Sequence, residues 1–212
     1  MMLKVLLFIL FLTSQPLLAQ DERYFRQILK GEVSAPVVSD RQQDVQDFVL
    51  RGKAYRIDLN SDGIEETIQP MKKDGLDWLE IRNSSENVLF SQKLLSSGTE
   101  SVLYKIKLVH LSPKIKTLIL FLDEGGVAGK KFEATAKIFL ITYENNDLSK
   151  MTLTPGPHFF HEKESTREQY WRRTYQVNVF DTDNDGVRDV AIQYNHIQRI
   201  MLYKGKGEWT QF

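Results

Sequence analysis

From about position 48 to the C-terminus, apolar positions recur with the period of a β-strand. Val102, Tyr104, Ile106 and Leu108 alternate with Leu103, Lys105, Lys107 and Val109, marking out the two faces of one strand. A turn at Ser112-Pro113 leads into Ile115–Leu122, a near-continuous apolar strand. Ala134–Tyr143 is rich in β-branched and aromatic residues, and Glu144-Asn145-Asn146-Asp147 then turns the chain. Roughly ten to twelve short strands with polar turns are predicted in this way, so residues 48–212 read as a mainly β domain of antiparallel sheets.

The chain before it follows other patterns. Tyr24, Phe25, Ile28 and Leu29 fall at helical spacing after Asp21, and Gly31 ends the run. A second helical stretch is expected from the Ser39-Asp40 cap through Val45, with a linker containing Pro36 between the two. Residues 21–47 are thus predicted to be a short helical N-terminal arm. Met1–Gln20 has the build of a cleaved signal peptide, with Lys4, an apolar stretch from Val5 to Leu12 and a small residue at Ala19. Its apolar run is far shorter than the roughly 20 residues that span a bilayer. Export to the periplasm or the medium is the expectation, with no membrane span after cleavage.

Composition narrows the chemistry. The 212 residues carry 28 basic and 28 acidic side chains and no cysteine. Balanced charge gives no bulk attraction for nucleic acid. Without cysteine there is no disulfide framework, thiolate metal site or thiol nucleophile. A cysteine-free exported chain points to a bacterial envelope.

Two segments share one loop. Asp58-Leu59-Asn60-Ser61-Asp62-Gly63-Ile64-Glu65-Glu66 and Asp181-Thr182-Asp183-Asn184-Asp185-Gly186-Val187-Arg188-Asp189 both read acid, x, acid or amide, x, acid, Gly, apolar, x, acid. An aromatic residue, Phe48 or Trp171, stands ten positions before each loop. A strand precedes and follows each loop, and a strand–turn–strand pair completes each copy, so units near 48–92 and 171–212 form an internal duplication. Oxygens at positions 1, 3 and 5 of a tight loop converge on one point, and Gly at 6 permits the turn. A position-7 carbonyl and a position-9 acid complete a shell of hard oxygens suited to calcium. The candidate ligands are Asp58, Asn60, Asp62, the Ile64 carbonyl and Glu66 in the first loop. In the second they are Asp181, Asp183, Asp185, the Val187 carbonyl and Asp189. The second, richer in aspartate, is expected to be the stronger site. An EF-hand is excluded, because position 12 holds Gln69 or Ile192 and strands flank both loops.

These loops and their strands resemble the FG-GAP or VCBS repeats of integrin-α-like β-propellers, over about half of the mature chain. The resemblance implies strand–calcium-loop–strand units in a propeller-like or incomplete propeller body. It also implies a non-catalytic adhesion or scaffold role with protein partners in the envelope or at the cell surface. A structural accessory subunit of a flagellum or pilus is the close variant, and an envelope-polymer hydrolase the competing class.

The remaining motifs are weaker. His158-Phe159-Phe160-His161 with Glu162 and Glu164 lacks a metalloprotease spacing and reads as an aromatic strand or loop. Phe159 and Phe160 would make a partner patch if exposed. Asp123 and Glu124 could form half of a glycosidase pair. Gly125–Lys131 lacks the spacing of a phosphate loop and reads as a hairpin.

Overall fold

The computed structural model describes residues 45–49, 54–96, 101–127, 132–164, 170–195 and 197–212. Positions 1–20 and most of the arm expected over 21–47 lie outside these. The last three arm positions, Val45–Asp47, are strand rather than helix, because they pair with the body: Val45 lies opposite Val109 and Val49 opposite Lys105. The β domain therefore already includes Val45.

Fourteen strands are present among the described residues, with a single turn of 3-10 helix at Leu148–Lys150. After β1 (Val45–Val49) come β2 (Tyr55–Ile57), β3 (Glu66–Lys73), β4 (Leu76–Arg82) and β5 (Val88–Lys93). The long strands follow: β6 (Val102–Ser112), β7 (Ile115–Val127), β8 (Glu133–Glu144) and β9 (Thr152–Glu164). The chain ends with β10 (Tyr170–Thr174), β11 (Gln176–Phe180), β12 (Asp189–Tyr194), β13 (Ile197–Gly205) and β14 (Glu208–Gln211).

All pairing is antiparallel and is laid out as three successive meanders. β2–β5 and β11–β14 are four-stranded sheets, and β6–β9 form the centre of a six-stranded one. Its outer positions are taken by β1, beside β6, and β10, beside β9. Phe48 and Trp171, which precede the two loops, thus lie on the two edge strands of one sheet. Each edge strand is followed in sequence by a loop-bearing sheet. The duplication extends to topology.

The central strands explain the layering. Leu118 to Leu122 are all buried, as are Ile138 to Tyr143, so both faces of β7 and β8 must be covered. On one face Leu118, Leu120, Phe139 and Ile141 join Ile57, Ile68, Leu79 and Ile81 of the β2–β5 sheet in one apolar cluster. On the other, the Trp209 indole N–H donates to the Thr142 hydroxyl at 3.0 Å, which sets the β11–β14 sheet against β8. The turn before β14 also meets β9 closely. A side chain at Gly207 would collide with Thr152, whose hydroxyl donates to the Gly207 carbonyl at 3.1 Å. Nearer the β7–β8 hairpin, Tyr104, Phe121 and Phe159 pack ring against ring, Phe121 and Phe159 edge-on at 5.3 Å.

Phe159 and Phe160 are each 3% exposed, within β9. They belong to the interior, and the partner patch considered for them is not present.

Burial on both faces has a measurable consequence. Leu120→Ala and Ile119→Ala point to opposite faces, and each should cost about 2–5 kcal/mol of unfolding free energy. Urea unfolding of both variants tests this. If either is near neutral, that face is not covered.

Candidate metal centre

Each loop joins the first two strands of its four-stranded sheet, β2 to β3 and β11 to β12, and the register agrees at the closing pair. Ile57 lies opposite Glu66 and Phe180 opposite Asp189. Four hydrogen bonds are shared. The position-2 amide donates to the position-9 carboxylate, Leu59 to Glu66 at 2.8 Å and Thr182 to Asp189 at 3.1 Å. The position-5 and position-6 amides both donate to the first aspartate: Asp62 and Gly63 to Asp58 at 3.2 and 2.9 Å, Asp185 and Gly186 to Asp181 at 3.2 and 3.0 Å. The position-7 amide donates to the position-5 carboxylate at 2.7 Å in one loop and 2.8 Å in the other. Positive φ recurs at Ser61 and Asn184 and at Gly63 and Gly186, the last two at 85° and 87°, where glycine is the residue without a steric penalty. The two segments fold as one motif.

Their interiors differ. Carboxylate oxygens of Asp181, Asp183 and Asp189 lie within 4.8 Å of one another, the one such acidic triad among the described residues. Asp189 is buried, and Asp183 is exposed with Lys204 3.7 Å away. Among the described residues no hydrogen bond reaches the Asp183 carboxylate, whereas Asp181 and Asp189 also brace the backbone. Asp185 stands outside the triad and holds the Val187 amide. Val187, whose carbonyl was the expected position-7 ligand, is half-buried.

The first loop closes on itself. The Asn60 side-chain amide donates to Asp62 at 2.8 Å and its carbonyl accepts the Asp62 amide at 3.0 Å. Asn60 thereby places a donor where a cation would need an acceptor. Ile64 is 51% exposed, at the loop's outer rim. A cation is already present underneath: the buried Lys116 ammonium on β7 donates to the Leu59 carbonyl at 3.0 Å and to the Ser61 hydroxyl at 2.8 Å. The Tyr143 hydroxyl donates to the same carbonyl at 2.8 Å. Burial pulls the Lys116 pKa down, opposed by Asp58 and Glu66. Burial pushes the Glu66 carboxyl up; the Leu59 amide opposes this, and Asp62 and Asp58 add to it. Lys116 and Tyr143 escaped the sequence reading because they are 57 and 84 residues from Leu59, whose carbonyl they hold.

The other candidates do not form a metal site. His158 Nε2 is 2.9 Å from Glu124 and His161 Nε2 is 2.7 Å from Glu133, two separate pairs. Glu124, which could have been half of a glycosidase pair, is buried and engaged by Lys137 at 3.1 Å and by the Thr135 hydroxyl at 2.8 Å. Asp123 accepts the Gly125 amide at 2.9 Å, and burial pushes its pKa up. Gly125 and Gly126 lie near the end of β7, Gly126 opposite Ala134 of β8, and positions 128–131 of the expected hairpin lie outside the described residues. His110 is half-buried on β6, while His196 falls outside the described residues. No helix among the described residues is long and apolar enough to cross a membrane.

Scans against protein-family models, curated proteins and solved structures found no match to this chain. The likeness to FG-GAP and VCBS repeats therefore rests on the sequence of the loops and their flanking strands alone.

The raised Glu66 pKa gives a pH signature. With its folded-state value above the ordinary 4.5, this group's stabilising share is fully present below that pH and is lost as pH rises through the raised value. In chelator, Glu66→Gln should flatten the part of the stability–pH curve that falls as pH rises above 4.5. An unchanged curve would mean that Glu66 does not titrate in this window.

Proposed function

We propose that this protein is an exported, calcium-stabilised and non-catalytic interaction or scaffold module of a bacterial envelope or cell surface. The observation that carries the reading is the aspartate triad of the second loop, held by the same four hydrogen bonds that shape the first. Calcium suits three carboxylates and nearby carbonyl oxygens in a loop that bends at glycine. Neutralising Asp181, Asp183 and the buried Asp189 relieves mutual repulsion, so binding stabilises the fold by linkage. The second loop is the metal-responsive one, and the first uses the Lys116 ammonium in part of the same role. The three meanders serve as blade-like units of a propeller-like body, and the part played is adhesion or scaffolding for a protein partner.

Extracellular modules of this kind bind calcium at roughly 10⁻⁴–10⁻³ M. At ~10 mM calcium the stabilisation should be about 1–3 kcal/mol, read as a rise in melting temperature over chelator. Asp183→Asn removes a ligand without touching the loop's backbone bonds and should abolish the rise. Asp62→Asn should leave most of it. An equal rise in the Asp183 variant, or none in the native chain, would refute the site.

A further inference from the structure

Beside the β7–β8 hairpin, away from both loops, lies a cavity of about 460 Å³, within the range of small-ligand pockets. It is lined by Glu124, His158, His161, Trp171, Tyr175 and Arg199 among others, contributed by the central sheet and by β13. Its acids are engaged: Glu124 by Lys137, Thr135 and His158, and Glu133 by His161. Its one arginine, Arg199, is in no ion pair among the described residues.

Arg199 lies over the Tyr175 ring at 5.8 Å, and Tyr175 meets Tyr194 at 5.4 Å. Arg173 lies over Tyr194 at 5.8 Å and over Trp171 at 4.7 Å, and Lys163 lies over Trp171 at 5.6 Å. The groups form one continuous stack, Lys163–Trp171–Arg173–Tyr194–Tyr175–Arg199. None of its three cations has a carboxylate within ion-pair distance among the described residues. A guanidinium laid on an aromatic ring has lost much of its freedom while its N–H fork stays available for a carboxylate.

We propose that this stack and the adjoining pocket are the docking site for an acidic segment of a protein partner, whose Asp or Glu carboxylates are taken by Arg173 and Arg199. This rests on the non-catalytic interaction reading above and names the partner's chemistry. Charge complementarity selects an anion. Trp, Tyr and Arg side chains gathered in one patch are the composition of an interface hot spot. A saccharide fits less well, because the rings on which a sugar would stack already carry cations: Trp171 holds Arg173 and Lys163, and Tyr175 holds Arg199.

The test uses the whole chain and a fluorescently labelled, capped hexaglutamate peptide. Hexaglutamine and trigalacturonate serve as the uncharged and saccharide counterparts. Hexaglutamate should bind, more weakly as salt rises, and shift tryptophan emission. The Arg173→Gln, Arg199→Gln double variant should lose roughly tenfold or more in affinity. Absence of hexaglutamate binding, equal binding of hexaglutamine, or equal binding by a folded double variant would overturn the proposal, and tighter binding of trigalacturonate would replace it with a saccharide site. Melting in calcium and in chelator, recorded on the same samples, shows that the double variant is folded. It also keeps the two readings apart: a native chain that responds to calcium but does not bind hexaglutamate counts against this site alone, and one that binds hexaglutamate but does not respond to calcium counts against the calcium loops alone.

Discussion

A strand that is apolar on both faces is stable only between two layers, and β7 with its neighbour β8 imposes that arrangement on the described chain. Leu118 to Leu122 leave no face that water could share without exposing several large side chains. The β2–β5 sheet supplies one layer through Ile57, Ile68, Leu79 and Ile81, and the β11–β14 sheet approaches the other face through Trp209. Once both are placed, the loops that start them come to the same end of the central sheet. The first rests on Lys116 and Tyr143, and in the second the Arg188 amide donates to the Leu111 carbonyl at 2.9 Å. The duplicated units thus flank a shared core strand pair.

That placement also explains how one motif acquired two characters. Position 9 is buried in both copies, as Glu66 and Asp189, and in both it accepts the position-2 amide. A buried carboxylate needs compensation by hydrogen bonds or by positive charge. Beneath the first loop the long Lys116 side chain reaches in from β7 and places its ammonium on the Leu59 carbonyl and the Ser61 hydroxyl. At the second loop the nearest cation paired with the acids, Lys204, sits 3.7 Å from Asp183 and is itself half-exposed. Lys204 thus meets the second loop at its exposed Asp183, whereas Lys116 meets the first from beneath, although both loops share the same backbone hydrogen bonds.

Much of this was legible in the sequence. Alternation over 102–109 and the apolar run over 115–122 marked β6 and β7, because period-two burial is a local property. The loops were legible because their spacing is local too, and the structure gives them a common hydrogen-bond scheme. What depends on tertiary neighbours was not. Val45–Asp47 fit the end of a helical pattern, yet pairing with β6 makes them strand. Phe159 and Phe160, after Pro155-Gly156-Pro157, left strand and loop both open; the segment lies within β9 and both rings are buried. The sequence ranked the second loop higher by its aspartates, and it gave no sign of Lys116 beneath the first, contributed by a strand 57 residues from Leu59.

The cation–aromatic stack shows the same limit more sharply. Lys163, Trp171 and Arg173 come from β9 and β10, while Tyr194 and Arg199 come from β12 and β13, in a different sheet. No single window of sequence contains the pattern, and each residue alone reads as an ordinary surface cation or a core aromatic. The junction at Tyr175 brings them together, since there β10 leaves the central sheet and β11 enters the next one. A cation on such a stack can stay without an acidic partner because the ring face supplies part of the compensation that a carboxylate would otherwise provide. It is therefore held in place and still able to accept one. The fold that fixes the loops at one end of the central sheet also sets out, at another, a row of cations that the rings hold but do not neutralise.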